Sequence, residues 1–272
     1  MNGRQHQSPP EHDGGLSHDL PVLARRRMIR LMAGVSLVPL VGCTSEENPS
    51  TSPSSSAGSS SAECAEIPEE TAGPFPGDGS NGVNVLKESG VVRSDITRSF
   101  GDSAGGTAEG VPLTITLTVV DAASGCGTPK KGAAVYIWHC DREGAYSLYS
   151  EGVTEENYLR GVQETDDKGR VTFTSVFPGC YPGRWPHAHF EVYDSLADAT
   201  AAASITSTSQ LAFPQDVCEA VYATDGYSGS VRNLSSLSLE DDGVFGDGHE
   251  RQLATMTGSA RDGYTAALTV PV

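Results

Sequence analysis

The chain has 272 residues, with 18 Lys/Arg against 35 Asp/Glu and a formal net charge of −17. Residues 1–42 hold five basic and three acidic side chains, so the remainder carries a net −19. That much negative charge repels phosphate backbones and excludes nucleic acid as a partner.

At the N-terminus, Arg25-Arg26-Arg27 precede an apolar run at residues 31–41. The run is too short for a membrane span, which needs about 20 apolar residues. It ends in Leu40-Val41-Gly42-Cys43. This order resembles a twin-arginine export signal with a lipobox, so residues 1–42 read as a signal peptide. The resemblance implies cleavage before Cys43, lipidation of its thiol, and a protein anchored at the outer face of the cell membrane by lipid alone, or secreted. Residues 43–63, mostly Ser and Pro, have too little apolar surface to order themselves and read as a tether. Residues 64–272 suit one domain. With Cys43 lipidated, Cys64, Cys126, Cys140, Cys180 and Cys218 remain. In an exported domain they predict two disulfides and one free thiol, with the pairing open.

Strands are predicted at residues 112–121 (PLTITLTVVD), 134–139 (AVYIWH), 169–176 (GRVTFTSV), 189–193, 252–257 and 264–270. Short helices are predicted at residues 196–205 and 215–223. Many short strands with few helices imply an all-β fold, a β-sandwich.

Within "GRWPHAHFEVYD", residues 183–194, His187 and His189 stand two apart. If the following strand extends back over both, both imidazoles leave one face, as a metal site needs. Taken alone, two solvated histidines are the commoner reading. Upstream lie Gly144-x-Tyr146 after the strand ending in Trp138, Pro178-Gly-Cys-Tyr181-Pro, and Arg184 three residues before His187; Gln210-Leu lies downstream, and Thr71-Ala-Gly-Pro-Phe75 stands near the start of the domain. Each of these pieces alone is a weak signal.

This ordered set, over about residues 64–225, resembles the intradiol ring-cleavage dioxygenases, the family of catechol and protocatechuate dioxygenases. The resemblance implies a β-sandwich of that type holding one Fe(3+) per chain. The implied substrates are a catechol-type diol and dioxygen, and the product is a cis,cis-muconate-type diacid. Tyr146 and His189 become lasting equatorial ligands, and His187 an axial one. Tyr181 becomes an axial ligand displaced by the diol. Arg184 steadies charge on the ring with Gln210 as its partner, and Gly73 and Pro74 form part of the substrate wall. The chain departs from the pattern in two places. Only five residues separate Tyr181 from His187, which predicts a more open pocket. The helical dimerisation region of the catechol dioxygenases is missing, so a monomer is favoured. The alternatives are a non-catalytic transthyretin-like or carbohydrate-binding sandwich, and a zinc or copper binder using the two histidines. Tyr149 equals Tyr146 as a strand-end aromatic, and His139 and His249 read as surface or structural residues.

Overall fold

The computed structural model describes residues 64–201 and 203–272; the signal, Cys43 and tether lie outside the described residues. Two sheets face each other. In the first, β1 (Pro112–Asp121) is central. It runs parallel to β9 (Gly263–Pro271) and antiparallel to β5 (Arg170–Val176) and the short β2 (Thr128–Pro129); β8 (Thr255–Ser259) pairs outside β9. The second sheet is antiparallel, in the order β4 (Arg160–Glu164), β3 (Ala134–Trp138), β6 (His187–Tyr193), β7 (Ser207–Ala212).

The alternation in β1 is honoured: Leu113, Ile115, Leu117 and Val119 are buried between the sheets, and the threonines between them are half-buried. Strand β6 is buried on both faces. Ala188, Phe190 and Val192 join the core between the sheets. His187, His189, Glu191 and Tyr193 therefore share the opposite face. There Ala134, Tyr136 and Trp138 of β3 and Tyr193 build a second apolar cluster with Tyr146. The second sheet thus has a structural face and a chemical face.

Three short helices follow: α1 (Leu196–Ala201), α2 (Gln215–Tyr222) and α3 (Ser228–Leu234). None among the described residues is long and apolar enough to cross a membrane. The first described residues run along both sheets. Ile67 N donates to Pro271 O at 2.8 Å, and Glu70 N donates to Thr208 O at 2.8 Å. This brings residues 71–76 across the chemical face.

The sequence reading needs several corrections. The predicted strand at 252–257 lies at Thr255–Ser259, because Gln252 is fully buried in a turn, its amide donating to His249 O. The predicted helix at 196–205 ends earlier, and residues 203–205 are irregular. Strands β4 and β7 and helix α3 were not expected. One disulfide forms, Cys64–Cys126, with Cα atoms 5.6 Å apart, instead of two. Cys140, Cys180 and Cys218 are buried free thiols. They pack as small apolar residues, with Cys140 donating to Gly179 O (3.5 Å) and Cys218 to Phe213 O (3.8 Å). Burial holds their protons on, pushing Cys180 up to about 12.

Candidate active site

Strand β6 begins at His187, so both histidines lie within it and point to the chemical face. His187 Nδ1 donates to Trp185 O at 2.5 Å. That bond fixes the tautomer and leaves Nε2 a bare lone pair aimed inward. His189 lies parallel to Trp138, with ring centroids 4.9 Å apart and planes within 3°. Burial is the main reason that both imidazoles are held neutral, well below the usual range; the Arg184 charge adds to it.

Tyr146 comes from the turn after β3. Asp141 Oδ1 organises that turn by accepting from Glu143 N (3.0 Å) and Ala145 N (2.9 Å). Gly144 sits inside it at φ +87°, and a Cβ there would lie 3.2 Å from Tyr181 Cβ. Only glycine allows both the conformation and the approach of the two tyrosine-bearing segments. Tyr146 is buried, and burial raises its phenol well above the usual range. Tyr149 is separated from it by the structure. Its hydroxyl accepts from Gly77 N and donates to Asn81 Oδ1, both at 2.9 Å, which makes it a structural tether.

Four donor atoms converge. His187 Nε2 lies 3.1 Å from His189 Nε2, 3.2 Å from Tyr181 Oη and 3.5 Å from Tyr146 Oη, and the two phenolic oxygens are 3.5 Å apart. One nitrogen lone pair cannot bond three partners at once. A metal ion about 2.0–2.1 Å from each donor sets donors roughly 2.9–3.4 Å apart, so the spacing fits a single ion. Among the described residues no cluster of three or more His, Cys, Asp and Glu could hold a metal, so the two tyrosines are essential to this one.

Around the donors, Arg184 is buried. Its Nη2 donates to Gln210 Oε1 at 2.7 Å, the partnership expected from sequence. Its Nε donates to Asp242 Oδ2 at 3.1 Å. Gly73 lies over His189 at φ +68°; a Cβ there would be 3.3 Å from His189 Cε1. Pro74 follows it in the same segment, and Phe75 packs on Tyr146 with centroids 5.1 Å apart. Tyr181 is half-buried, and Pro182 and Gly183 beyond it are exposed, so the donor set is approached from that side. His139 is structural: its ring nitrogens meet Ser175 Oγ and Cys140 O, each at 2.7 Å. His249 lies outside the site, its carbonyl accepting from Gln252 N and Leu253 N.

Sequence reasoning missed Asp242, Arg160 and the stacking role of Trp138. Asp242 is one of two adjacent aspartates in a loop and has no spacing to the motif. Arg160 did leave a trace, as an arginine next to Leu159 and two residues before Val162 in an otherwise apolar stretch.

Two phenol oxygens and two imidazole nitrogens thus converge on one sheet face of a β-sandwich. Residues 89–216 match the family model described as Dioxygenase. The solved structure of an intradiol ring-cleavage dioxygenase from Tetranychus urticae is similar over 76% of this chain and 94% of its own, at 27% identity and a TM-score of 0.57. The catechol 1,2-dioxygenase from Acinetobacter sp. ADP1, at 16% identity and a TM-score of 0.51 over 96% of this chain and 72% of its own, shares the fold. Curated relatives include the hydroxyquinol 1,2-dioxygenase of Rhizobium sp. (strain MTP-10005), 36% identical over 56 residues, which are 21% of this chain and 19% of that protein. Another is the catechol 1,2-dioxygenase of Candida albicans, 38% identical over 56 residues, 21% of this chain and 18% of that protein. The matched stretch thus spans about a fifth of the curated relatives. These matches support a relationship to the intradiol ring-cleavage dioxygenases.

Proposed function

We propose that the protein binds one ferric ion per chain through Tyr146, Tyr181, His187 and His189, and opens catechol-type diols between their hydroxyl-bearing carbons with dioxygen. The observation that carries this reading is the convergence of the four donors beside the Arg184–Gln210 pair. Bound ferric iron would hold the diol through both oxygens and withdraw electrons, making the ring reactive toward dioxygen.

The protein's own part follows from the geometry. His187 and His189 are neutral, so they present lone pairs without first losing a proton. Tyr146 is enclosed and stays in place. Tyr181 stands at the exposed edge and is the donor that yields its position, its Oη taking up one of the diol protons as it leaves. Arg184 is fixed at Nη2 by Gln210 and at Nε by Asp242, so its charge is already oriented when negative charge develops on the ring. Preorganised donors of this kind are worth about 3 kcal/mol each. Gly73, with no side chain, leaves room for a flat ring beside His189, and Pro74 continues that wall.

Iron analysis of protein purified in the presence of ferrous or ferric salt tests this: about one iron per chain and a red-brown tyrosinate band are expected for a four-donor site. Catechol added under dioxygen should give a ring-opened diacid carrying both oxygen atoms. Full zinc occupancy with no iron uptake refutes the reading. We further propose that the protein works outside the cytoplasm, lipid-anchored through Cys43. Its support is the arginine cluster, apolar run and Cys43 motif, in that order. Replacing Arg25 and Arg26 by Lys should trap precursor inside the cell, and unchanged export refutes that route.

A further inference from the structure

Arg160, at the start of β4, is 1% exposed and, among the described residues, meets no carboxylate. All five of its N–H bonds go to neutral acceptors. Nε donates to Ser147 Oγ at 3.1 Å. Nη1 donates to Pro76 O at 2.8 Å and Tyr136 Oη at 3.2 Å. Nη2 donates to Phe75 O at 2.9 Å and Ser147 O at 3.0 Å. Burying a charge on neutral partners is costly, and an apolar side chain would hold the strand without that penalty. The acceptors show what the charge does. Phe75 and Pro76 continue the wall that begins at Gly73, and Ser147 follows Tyr146. One planar guanidinium therefore joins the wall to the turn that carries a donor tyrosine. Phe75 is held between the same parts, 5.1 Å from both the Tyr146 and Tyr149 ring centroids.

We propose that Arg160 is a positioning residue of the site: it clamps the Phe75 and Pro76 carbonyls to the Tyr146–Ser147 turn and so fixes the gap between Gly73 and the donor set. The inference rests on the proposed function for what enters that gap, an aromatic diol, and on geometry alone for the clamp. The planar fork matters, because its five N–H bonds reach acceptors on separate segments. Lysine cannot replace it, because an ammonium has three donors around one point and cannot span carbonyls on two segments.

The test uses the full chain carrying Arg160→Lys or Arg160→Gln, with and without iron. Amide hydrogen exchange at Gly73, Phe75 and Gly77, the non-proline residues of the wall segment, reads the clamp directly and needs no catalysis. It should quicken at least about tenfold, because charge-assisted bonds to two carbonyls are lost. In iron-loaded protein the KM for catechol should rise roughly tenfold while kcat moves less, as expected when placement of substrate and not the chemical step is disturbed. Millimolar guanidinium, but not ammonium, should bring the KM of an Arg160→Gly variant back down, which a general loss of stability would not do. Parent-like exchange together with a parent-like KM in Arg160→Lys overturns the proposal. Should these variants fail to fold, Ser147→Ala removes the acceptor of Nε, together with the Ser147 Oγ bond to Tyr158 O, and leaves the other four Arg160 bonds in place. A roughly two- to fivefold faster exchange at the same amides then supports the clamp, and parent-like rates overturn it. If the parent protein opens no catechol, the proposed function fails, yet exchange in the iron-free variants still decides for or against Arg160.

Discussion

The Asp242 carboxylate is wholly buried and collects four donors. Arg184 Nε lies 3.1 Å away, Trp185 N 2.7 Å, Val244 N 2.8 Å and Phe245 N 3.1 Å. Asp242→Ala deprives the buried Arg184 guanidinium of its carboxylate partner, and removes the acceptor of three backbone amides. Breaking a buried ion pair from one side costs about 3–5 kcal/mol. In a domain of this size each kcal/mol lowers Tm by roughly 2–4 °C, so a fall on the order of 10 °C is expected. Asp242→Asn should cost less, about 1.5–3 kcal/mol, because one carbonyl oxygen can still serve Val244 and Phe245. Replacing both partners, Arg184→Met with Asp242→Leu, should recover part of the loss from the single Asp242→Ala change, since no unpaired charge is left. Urea unfolding of the singles and the double, at fixed metal content, measures the coupling. Asp242→Ala within about 1 kcal/mol of the parent, or additivity within about 0.5 kcal/mol, would mean that Arg184 is held by something else.

Tyr181→Phe should keep its iron but show an altered resting spectrum and slow turnover, whereas Tyr146→Phe should lose more metal; identical resting spectra for Tyr181→Phe and parent would remove Tyr181 from the donor set. Gly73→Ala forces a side chain into φ +68° and against a His189 ring backed by Trp138. It should cost about 1–2 kcal/mol and raise the KM for catechol, and unchanged stability and kinetics would refute the wall assignment. Burial pushes His139 down to about 4 from 6.5, so the unfolded chain binds a proton that the folded chain refuses. The stability due to neutral His139 is present above pH 6.5 and is lost as pH falls toward 4. Between those limits the parent should lose about 3 kcal/mol more than His139→Gln in denaturation curves, and a pH-independent difference would refute this.

Much of the fold was legible where pattern and environment agree. Strand β1 alternates because one face meets the core and the other is half-exposed, and its predicted limits match the observed ones. Tyr146, Tyr181, His187 and His189 were legible as a group only through the ordered motif set and its family resemblance; the His-x-His spacing alone gave no more than a shared face, and the close approach that Gly144 allows came from the structure. The rest depended on contacts remote in sequence. Strand β7 reads STSQLA, too polar for a strand pattern, yet it is almost wholly buried because the segment near Glu70 covers it. Helix α3 reads SGSVRNL, a poor helix by propensity. Its Ser230 Oγ accepts from Cys180 N at 2.9 Å and its Asn233 Nδ2 donates to Cys180 O at 2.7 Å, so tertiary bonds specify it. The disulfide count failed for a related reason. Three cysteines are core-filling side chains, and sequence alone does not separate these from bridge partners.

Under the proposed function, these remote contacts would let a short loop carry both a donor that leaves and a charge that stays fixed. Between Tyr181 and His187 there are five residues. The loop is pinned before Tyr181, where α3 grips both backbone groups of Cys180, and again at Arg184 and Trp185, where Asp242 binds side chain and amide. Both anchors come from residues beyond 216, where the family match ends. Between them lie Tyr181, exposed Pro182 and exposed Gly183, which has φ +87° and no atom within 4 Å of where a Cβ would point. Motion confined to those three residues can release Tyr181 Oη while Arg184 keeps its bond to Gln210. A longer loop would let both move together, and the orientation of the Arg184 charge would then be lost at the step that needs it.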